Sequence, residues 1–321
     1  MQGHAPEVVL VTGASGFLGR HVARRFAAEG ATVLGLGHGP FTDGTPEEWG
    51  LSSWQDSTVS LEALRALTTR PDIIAHCAGG ALVGRSFEAP RQDFLRTVAT
   101  TADILEFIRK DAPAARLVYP SSAAVYGNAR ALPIAVTHAV RPLSPYGTHK
   151  LAAEELCRAS ALHFGVRCTI LRFFSLYGRH LRKQLLWDAC GRLSAGSGAF
   201  SGTGDELRDF LHVDDAASLF VEGARHATAD CPTANGGTGI GTSVGAVIRR
   251  LAAVIAPDVE IRFTGAQRPG DPNAFVADVG DASRWGWRPR PAWQTGVDDY
   301  ALWYRGLGPG GGTASGERPN R

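Results

Sequence analysis

The chain has 321 residues, 44% of them apolar and 20% charged, with a formal net charge of +2. That balance excludes a disordered or fibrous chain, and the absence of any run of like charges leaves no footprint for nucleic acid or an acidic membrane surface. Glycine alone is out of line, at 39 residues, well above an ordinary usage of roughly 7%, so the positions of the glycines are worth following.

In chain order, Glu7 to Val11 is an apolar run that ends in a glycine-rich turn, and Leu18 to Glu29 follows with Leu18, Val22 and Phe26 at helical spacing. The alternation repeats. Strands are expected at Thr32 to Leu36, Asp72 to His76, Arg116 to Tyr119 and Val166 to Phe173, and helices at Leu61 to Leu67, Phe94 to Ile108 and Pro145 to Phe164. The last of these helices begins with Ser144 as cap and Pro145 in the first position, and its apolar side is read through Ala152, Leu156, Ala159 and Leu162. Apolar strands separated by helices predict an α/β chain with a doubly wound parallel sheet covered on both faces.

After Phe174 the elements become shorter and richer in glycine, which predicts a smaller, interleaved C-terminal lobe. The expected division places residues 1–174, with about 211–240, in the first domain, about 175–210 and 241–306 in the lobe, and 307–321 in a disordered tail. The five cysteines, Cys77, Cys157, Cys168, Cys190 and Cys231, form no Cys-x-x-Cys pair and read as reduced, packed thiols of a cytoplasmic protein. There is no apolar stretch of ~18 residues and no leader pattern, so neither a membrane span nor secretion is expected.

Two patterns carry chemistry. Gly13, Gly16 and Gly19 punctuate a strand-turn-helix, where glycine permits a tight turn, close approach to a pyrophosphate and close packing of the helix, whose N–H groups face the anion. A dinucleotide cofactor is therefore expected. The second strand ends at Gly37 and His38 with no carboxylate to bind ribose hydroxyls; Gly37 leaves room for a 2′-phosphate and His38 can donate to it, which favours NADP. In the second pattern, Tyr146 and Lys150 are four residues apart on one helix and share a face, and Ser121 and Ser122 end a preceding strand. A cation beside a phenol stabilises phenolate and lowers its pKa, and a serine hydroxyl can bond the same substrate oxygen, so the trio reads as an acid–base site for an alcohol or ketone beside a hydride carrier.

Three blocks together, Thr12-Gly13-Ala14-Ser15-Gly16-Phe17-Leu18-Gly19, Ser121-Ser122-Ala123-Ala124-Val125-Tyr126-Gly127 and Ser144-Pro145-Tyr146-Gly147-Thr148-His149-Lys150, resemble the extended short-chain dehydrogenase/reductase family in its nucleotide-sugar epimerase, dehydratase and ketoreductase branch. The resemblance runs from Val8 to about Tyr304. It implies a Rossmann fold, NAD or NADP as cofactor, a homodimer and a nucleoside-diphosphate sugar as substrate, with Tyr146 as acid and base, Lys150 as its partner and Ser122 as hydrogen-bond donor. Cofactor contacts are implied at Gly13, Ser15, Gly16, Phe17, Leu18 and Gly19, at Gly37, His38 and Asp56, at Ala78, Gly79 and Ser121, and at Tyr146, Lys150 and Phe174.

Substrate contacts are implied at Ser122, Tyr146, Ser175, Phe200 and Phe275, with Arg208 and Arg268 holding the diphosphate through planar guanidinium groups. Ser175 stands where the family usually has Asn. Phe275 matches a position at which a bulky residue excludes an N-acetyl group on the sugar C2. Ala123 and Ala124 occupy the places where dehydratases carry an acid and a base, which disfavours 4,6-dehydration. The expectation is a sugar 4-epimerase that works through a 4-keto intermediate. Left open are an NADPH-dependent 4-keto-sugar reductase and, from another class, a non-catalytic dinucleotide sensor.

Overall fold

The computed structural model describes residues 6–41, 43–129, 131–265, 274–290 and 292–308. The predicted alternation is present: β1 (Val8–Thr12), α1 (Phe17–Ala28), β2 (Thr32–Gly37), β3 (Ser53–Asp56), α2 (Leu61–Arg65), β4 (Ile73–His76), α3 (Val83–Glu88), α4 (Pro90–Phe94), α5 (Thr100–Asp111), β5 (Arg116–Ser122), α6 (Pro145–Phe164) and β6 (Arg167–Phe173). Sequence reading missed β3 because only Trp54 in it is apolar, and it missed the short α3. The single helix expected from Phe94 to Ile108 is α4, a π-helical turn at Leu95–Ala99 and then α5.

Beyond β6 come β7 (Ser175–Tyr177), α7 (Gln184–Ser194), β8 (Ala199–Phe200), β9 (Leu207–Arg208), β10 (Phe210–His212), α8 (Val213–Arg225) and β11 (Thr233–Gly236). The described chain closes with β12 (Thr242–Ser243), α9 (Val244–Ile255), β13 (Arg262–Phe263), β14 (Ala274–Phe275), α10 (Gly280–Arg284) and α11 (Trp293–Gly306). Of the expected tail, only Leu307 and Gly308 lie within the described residues.

Seven parallel strands make the central sheet, in the order β11-β6-β5-β4-β1-β2-β3. This is the doubly wound Rossmann arrangement, and the winding reverses between β1 and β4, where such sheets open a crevice at the strands' carboxyl ends. One face buries Val9, Val11, Val118 and Leu171 against Val22 and Phe26 of α1 and Leu219 and Phe220 of α8. The other buries Leu10, Ile74, Leu117 and Ile170 against Ile104, Phe107 and Ile108 of α5 and Ala153, Cys157 and Ala161 of α6. A separate apolar cluster joins α7, α9 and α11 through Trp187, Leu193, Leu251 and Tyr300, beside three small sheets, β10-β7, β12-β9-β14 and β13-β8.

The buried face of α6 is not the one expected. Leu162 is 78% exposed, whereas Lys150, Ala153, Glu154, Cys157 and Ala161 are buried. The face that meets the sheet is chosen by polar chemistry. The Glu154 carboxylate, 0% exposed, accepts from Arg172 Nε at 2.9 Å and Nη2 at 2.7 Å, from the Ser121 hydroxyl at 2.5 Å and from Arg158 at 3.0 Å. Arg172 also donates to the Tyr126 hydroxyl at 3.1 Å, which donates to Asn235 Oδ1 at 2.6 Å. A helix face with an ionised residue at its centre does not read as apolar, so hydrophobic spacing picked its neighbour.

The Glu154–Arg172 fork is bidentate and fully bonded, the condition under which two buried charges are tolerated. These bonds hold the Glu154 carboxyl below its usual range despite burial. Its contribution to stability is therefore present above about pH 4.3 and is lost as the carboxylate is protonated in acid. Glu154→Gln leaves the buried guanidinium without its counter-ion and should cost about 3–5 kcal/mol in urea unfolding at neutral pH. A loss below about 1 kcal/mol would show that the pair is dispensable.

Candidate active site

The cleft lies at the carboxyl ends of β1, β4, β5 and β6, occupies about 1520 Å³ and reaches across to α7 and β9. One end is the turn between β1 and α1. A methyl on Gly19 would come 2.2 Å from Gly13 O, and one on Gly13, at φ +66°, would come 2.8 Å from Ala78 N, so both positions must be bare. On Gly16, by contrast, a methyl would meet only Gly13 O, at 3.1 Å. The first turn of α1 has no side-chain cap and no acidic residue, so its N–H groups and positive dipole end remain available to an anion. From the next turn Arg20 braces the loop by donating to the carbonyls of Ser15 and Gly16. These features fit a pyrophosphate.

At the end of β2 a Cβ on Gly37 would meet the Trp54 ring at 3.0 Å, so an indole from β3 crowds this position too. His38 is exposed at the cleft rim, and its carbonyl accepts from the Ser15 hydroxyl at 3.2 Å. Asp56 is not on the cleft wall; its carboxylate accepts the Gly39 N–H at 3.3 Å and holds the loop after β2.

At the centre, α6 brings Tyr146 and Lys150 under the end of β5. The Ser144 hydroxyl caps the helix by accepting from Gly147 N at 3.1 Å, and the Tyr146 N–H donates to Ser86 Oγ at 3.0 Å, which ties α6 to α3. Ser122 Oγ accepts from Ala124 N at 3.2 Å and is hydrogen-bonded to the Tyr146 phenol. Since the amide takes one lone pair of Ser122, its proton is free to point at the phenol oxygen. Lys150 Nζ lies 5.9 Å from the Tyr146 ring centre and 5.2 Å from that of Tyr119, and it donates to Pro120 O at 2.9 Å.

The proton balance corrects one sequence expectation. Burial pushes the Tyr146 phenol above its ordinary range, more than the Ser122 hydrogen bond offsets. The ammonium does not bring it down, because Lys150 is turned to the Pro120 carbonyl and is itself lowered to about 8 by burial. Beneath them His76 is fully buried and lowered to about 3, by desolvation first and then by Lys150. It bonds Thr12 Oγ1 at 2.7 Å through Nδ1 and Thr100 Oγ1 at 3.4 Å through Nε2. Ala78 N donates to Thr12 Oγ1 and the Thr100 hydroxyl donates to Arg96 O. That order of donors assigns His76 the neutral tautomer with its proton on Nε2.

Ser15, Phe17, Leu18, Ala78, Gly79, Ser121, Phe174, Ser175, Phe200, Arg208 and Phe275 all line the same cleft. Phe275 meets Phe174 edge to face at 6.2 Å, and Arg208 donates to Leu207 O at 2.9 Å. The carboxylate of neighbouring Asp209 is taken up by the amides of Thr238, Gly239 and Ala277. Arg268 lies outside the described residues. The sequence reading missed Cys77, Gly80 and Asp93 on the wall and His76 beneath it; His76 ends the strand β4 and Cys77 directly follows it, the one local signal that they reach the site.

A model of the NAD dependent epimerase/dehydratase family matches residues 9–233. A curated relative, UDP-glucose 4-epimerase of Azospirillum brasilense, is 29% identical over 96% of this chain and 97% of its own length. Among solved structures, UDP-glucose 4-epimerase of Thermotoga maritima with UDP-glucose superposes with a TM-score of 0.84 at 25% identity, over 94% of this chain and 99% of that one. The UDP-glucose 4-epimerase of Stenotrophomonas maltophila with bound NAD and formylated UDP-arabinopyranose also gives a TM-score of 0.84, at 26% identity over 94% and 98%.

His76 predicts a pH dependence of stability. Its folded pKa is depressed, so below about pH 6.5 the unfolded chain binds a proton that the folded chain refuses until about pH 3. Stability is therefore whole above that window and falls as the pH drops through it. Between pH 7 and 5 the wild type should lose about 2 kcal/mol more than His76→Gln in urea titrations; equal losses would place the proton elsewhere.

Proposed function

The chain belongs to the NAD dependent epimerase/dehydratase family, and on that premise we propose that it is a nucleotide-sugar 4-epimerase that uses NAD and passes through a 4-keto sugar. The observation that carries this reading is the hydrogen-bonded Ser122–Tyr146 pair with Lys150 beside it, facing a cleft in which Ala123 and Ala124 supply no acid or base for eliminating water. The relatives support the choice of reaction, and the solved structure with NAD supports the cofactor.

The residues that would hold the dinucleotide are the turn from Gly13 to Gly19 at the pyrophosphate, Ala78 and Gly79 after β4, and Lys150 at the nicotinamide end. When bound, the nicotinamide supplies an acceptor, and then a donor, of hydride at the sugar carbon. Tyr146 moves the proton at the C4 oxygen, and Ser122 orients that oxygen by a second hydrogen bond. Lys150, a cation at neutral pH, supports negative charge as it develops on the phenol or the sugar oxygen. Arg208, with Arg268, grips the diphosphate, which leaves the keto sugar free to turn about that link and present its other face. Phe275, edge to face with Phe174, narrows the sugar end, which favours a hexose without an N-acetyl group on C2. In this reading residues 175–210 and 241–306 form the sugar-nucleotide lobe, and a second copy covers Leu162 and Phe164, both exposed on α6.

Protein denatured after purification should release NAD, and the native protein should convert UDP-glucose carrying deuterium at C4 into its C4 epimer with the label retained and no added cofactor. An empty site, together with NADPH-dependent reduction of a 4-keto sugar, would instead establish the reductase alternative. Tyr146→Phe should lower turnover by about 10²–10⁴-fold with cofactor retention unchanged; an active variant would remove Tyr146 from the chemistry.

A further inference from the structure

A hydrogen-bonded couple stands beside the Tyr146–Lys150 pair. Asp93 is 8% exposed on α4, and its Oδ2 lies 2.6 Å from Nδ1 of His149, the residue next to Lys150 on α6. The Phe94 ring meets the His149 imidazole edge-on at 5.6 Å. Oδ1 of Asp93 is turned the other way, over Gly80: a Cβ on that glycine would fall 2.0 Å from it. Adjacent Gly79, at φ +149°, has ordinary contact room, a Cβ there lying 3.7 Å from Lys150 Nζ and 3.8 Å from Thr97 Oγ1, which places this segment against the lysine. Gly80 N donates to Thr97 Oγ1 at 3.0 Å and fixes this segment. Asp93 lines the cleft, while His149 stands behind it.

We propose that Asp93, clamped by His149, is a positioning residue for the Tyr146–Lys150 pair, a buried carboxylate locked in the cleft wall that sets the charge balance of the two. The inference rests on the reading of Tyr146 and Lys150 as the acid–base pair. A carboxylate bound at one oxygen by an imidazole cannot swing away, so its field on both neighbours is constant.

The other groups packed around the pair do not duplicate it. From β4, His76 is neutral and the Cys77 thiol is pushed up by burial; from β5, Tyr119 is likewise pushed up. Glu154, one turn further along α6, is engaged by Arg172, Arg158 and Ser121. Arg85 and Glu88 of α3 and Arg96 after α4 line the same wall. Asp93 acts on both members of the pair: it supports the Lys150 ammonium against burial and opposes a phenolate at Tyr146.

The test is a titration of Lys150 that needs no substrate. The chain has only three lysines, Lys110, Lys150 and Lys183, so NMR of the protein labelled at lysine Cε gives three signals, assigned with Lys110→Arg and Lys183→Arg. Asp93→Asn should move the Lys150 midpoint from about 8 down by about one unit. His149→Leu should move it the same way, because the unclamped carboxylate is free to swing away from the pair, whereas His149→Asn keeps an N–H donor and should leave it in place. An unmoved midpoint in Asp93→Asn overturns the proposal, and so does equal behaviour of His149→Leu and His149→Asn, which decides the matter if the Asp93 variant does not fold. Failure of the epimerase reading would show separately, as absence of sugar interconversion with the lysine titrations unchanged.

Discussion

The site depends on one buried ion pair. Glu154 and Arg172 join the middle of α6 to the end of β6, and their shared bonds reach Ser121 on β5, Tyr126 beyond it and Asn235 on β11. Glu154 follows Lys150 by four residues and Tyr146 by eight, so all three share one helical face. Fixing the carboxylate therefore fixes the rotation of α6 and the distance of the phenol from Ser122. Two charges taken out of water are costly, and what makes this pair tolerable is that every bond is made.

The same face carries a second cost. Lys150 is buried beneath the cleft, and its bond to the Pro120 carbonyl and the faces of the Tyr119 and Tyr146 rings replace only part of its hydration. Burial lowers the ammonium and raises the phenol, so two groups of nearly equal ordinary proton affinity are pushed apart and the ammonium becomes the one that loses its proton more readily. Paired titratable groups whose surroundings push them apart in this way can take different parts in one acid–base site. His76 beneath them stays neutral because it is fully buried and close to the Lys150 ammonium, and its two hydrogen-bond partners are threonine hydroxyls.

The glycine turn shows the opposite economy. Gly13 and Gly19 are constrained by contact with backbone, and Gly16 by little except the need to leave the helix end open. Arg20 braces the loop from its own helix by taking the Ser15 and Gly16 carbonyls, and Gly13 N and the Ser15 hydroxyl tie it to the carbonyls of Leu36 and His38 at the end of β2. The glycine spacing that shapes it lies within seven residues and can be seen in a linear sequence.

That contrast explains what could be read in advance. The strand–helix alternation, the glycine turn, the Ser144 cap and the Ser122, Tyr146 and Lys150 trio are local patterns, with periods of two or about four residues and fixed spacings. The buried face of α6, the approach of Trp54 to Gly37, the placement of Asp56 off the cleft wall and the raised phenol of Tyr146 were not legible. Each depends on a partner distant in sequence: Arg172 for Glu154, Trp54 for Gly37, Gly39 for the Asp56 side chain, and the whole burial of α6 for the tyrosine. By itself the sequence determined the parallel α/β fold, the glycine turn between β1 and α1 and the Ser122, Tyr146 and Lys150 trio that meets at the cleft, since those follow from short-range geometry. Only the tertiary structure decided which face of α6 is buried and what charge each group carries, because desolvation and ion pairing are properties of the packed interior and not of the spacing along the chain.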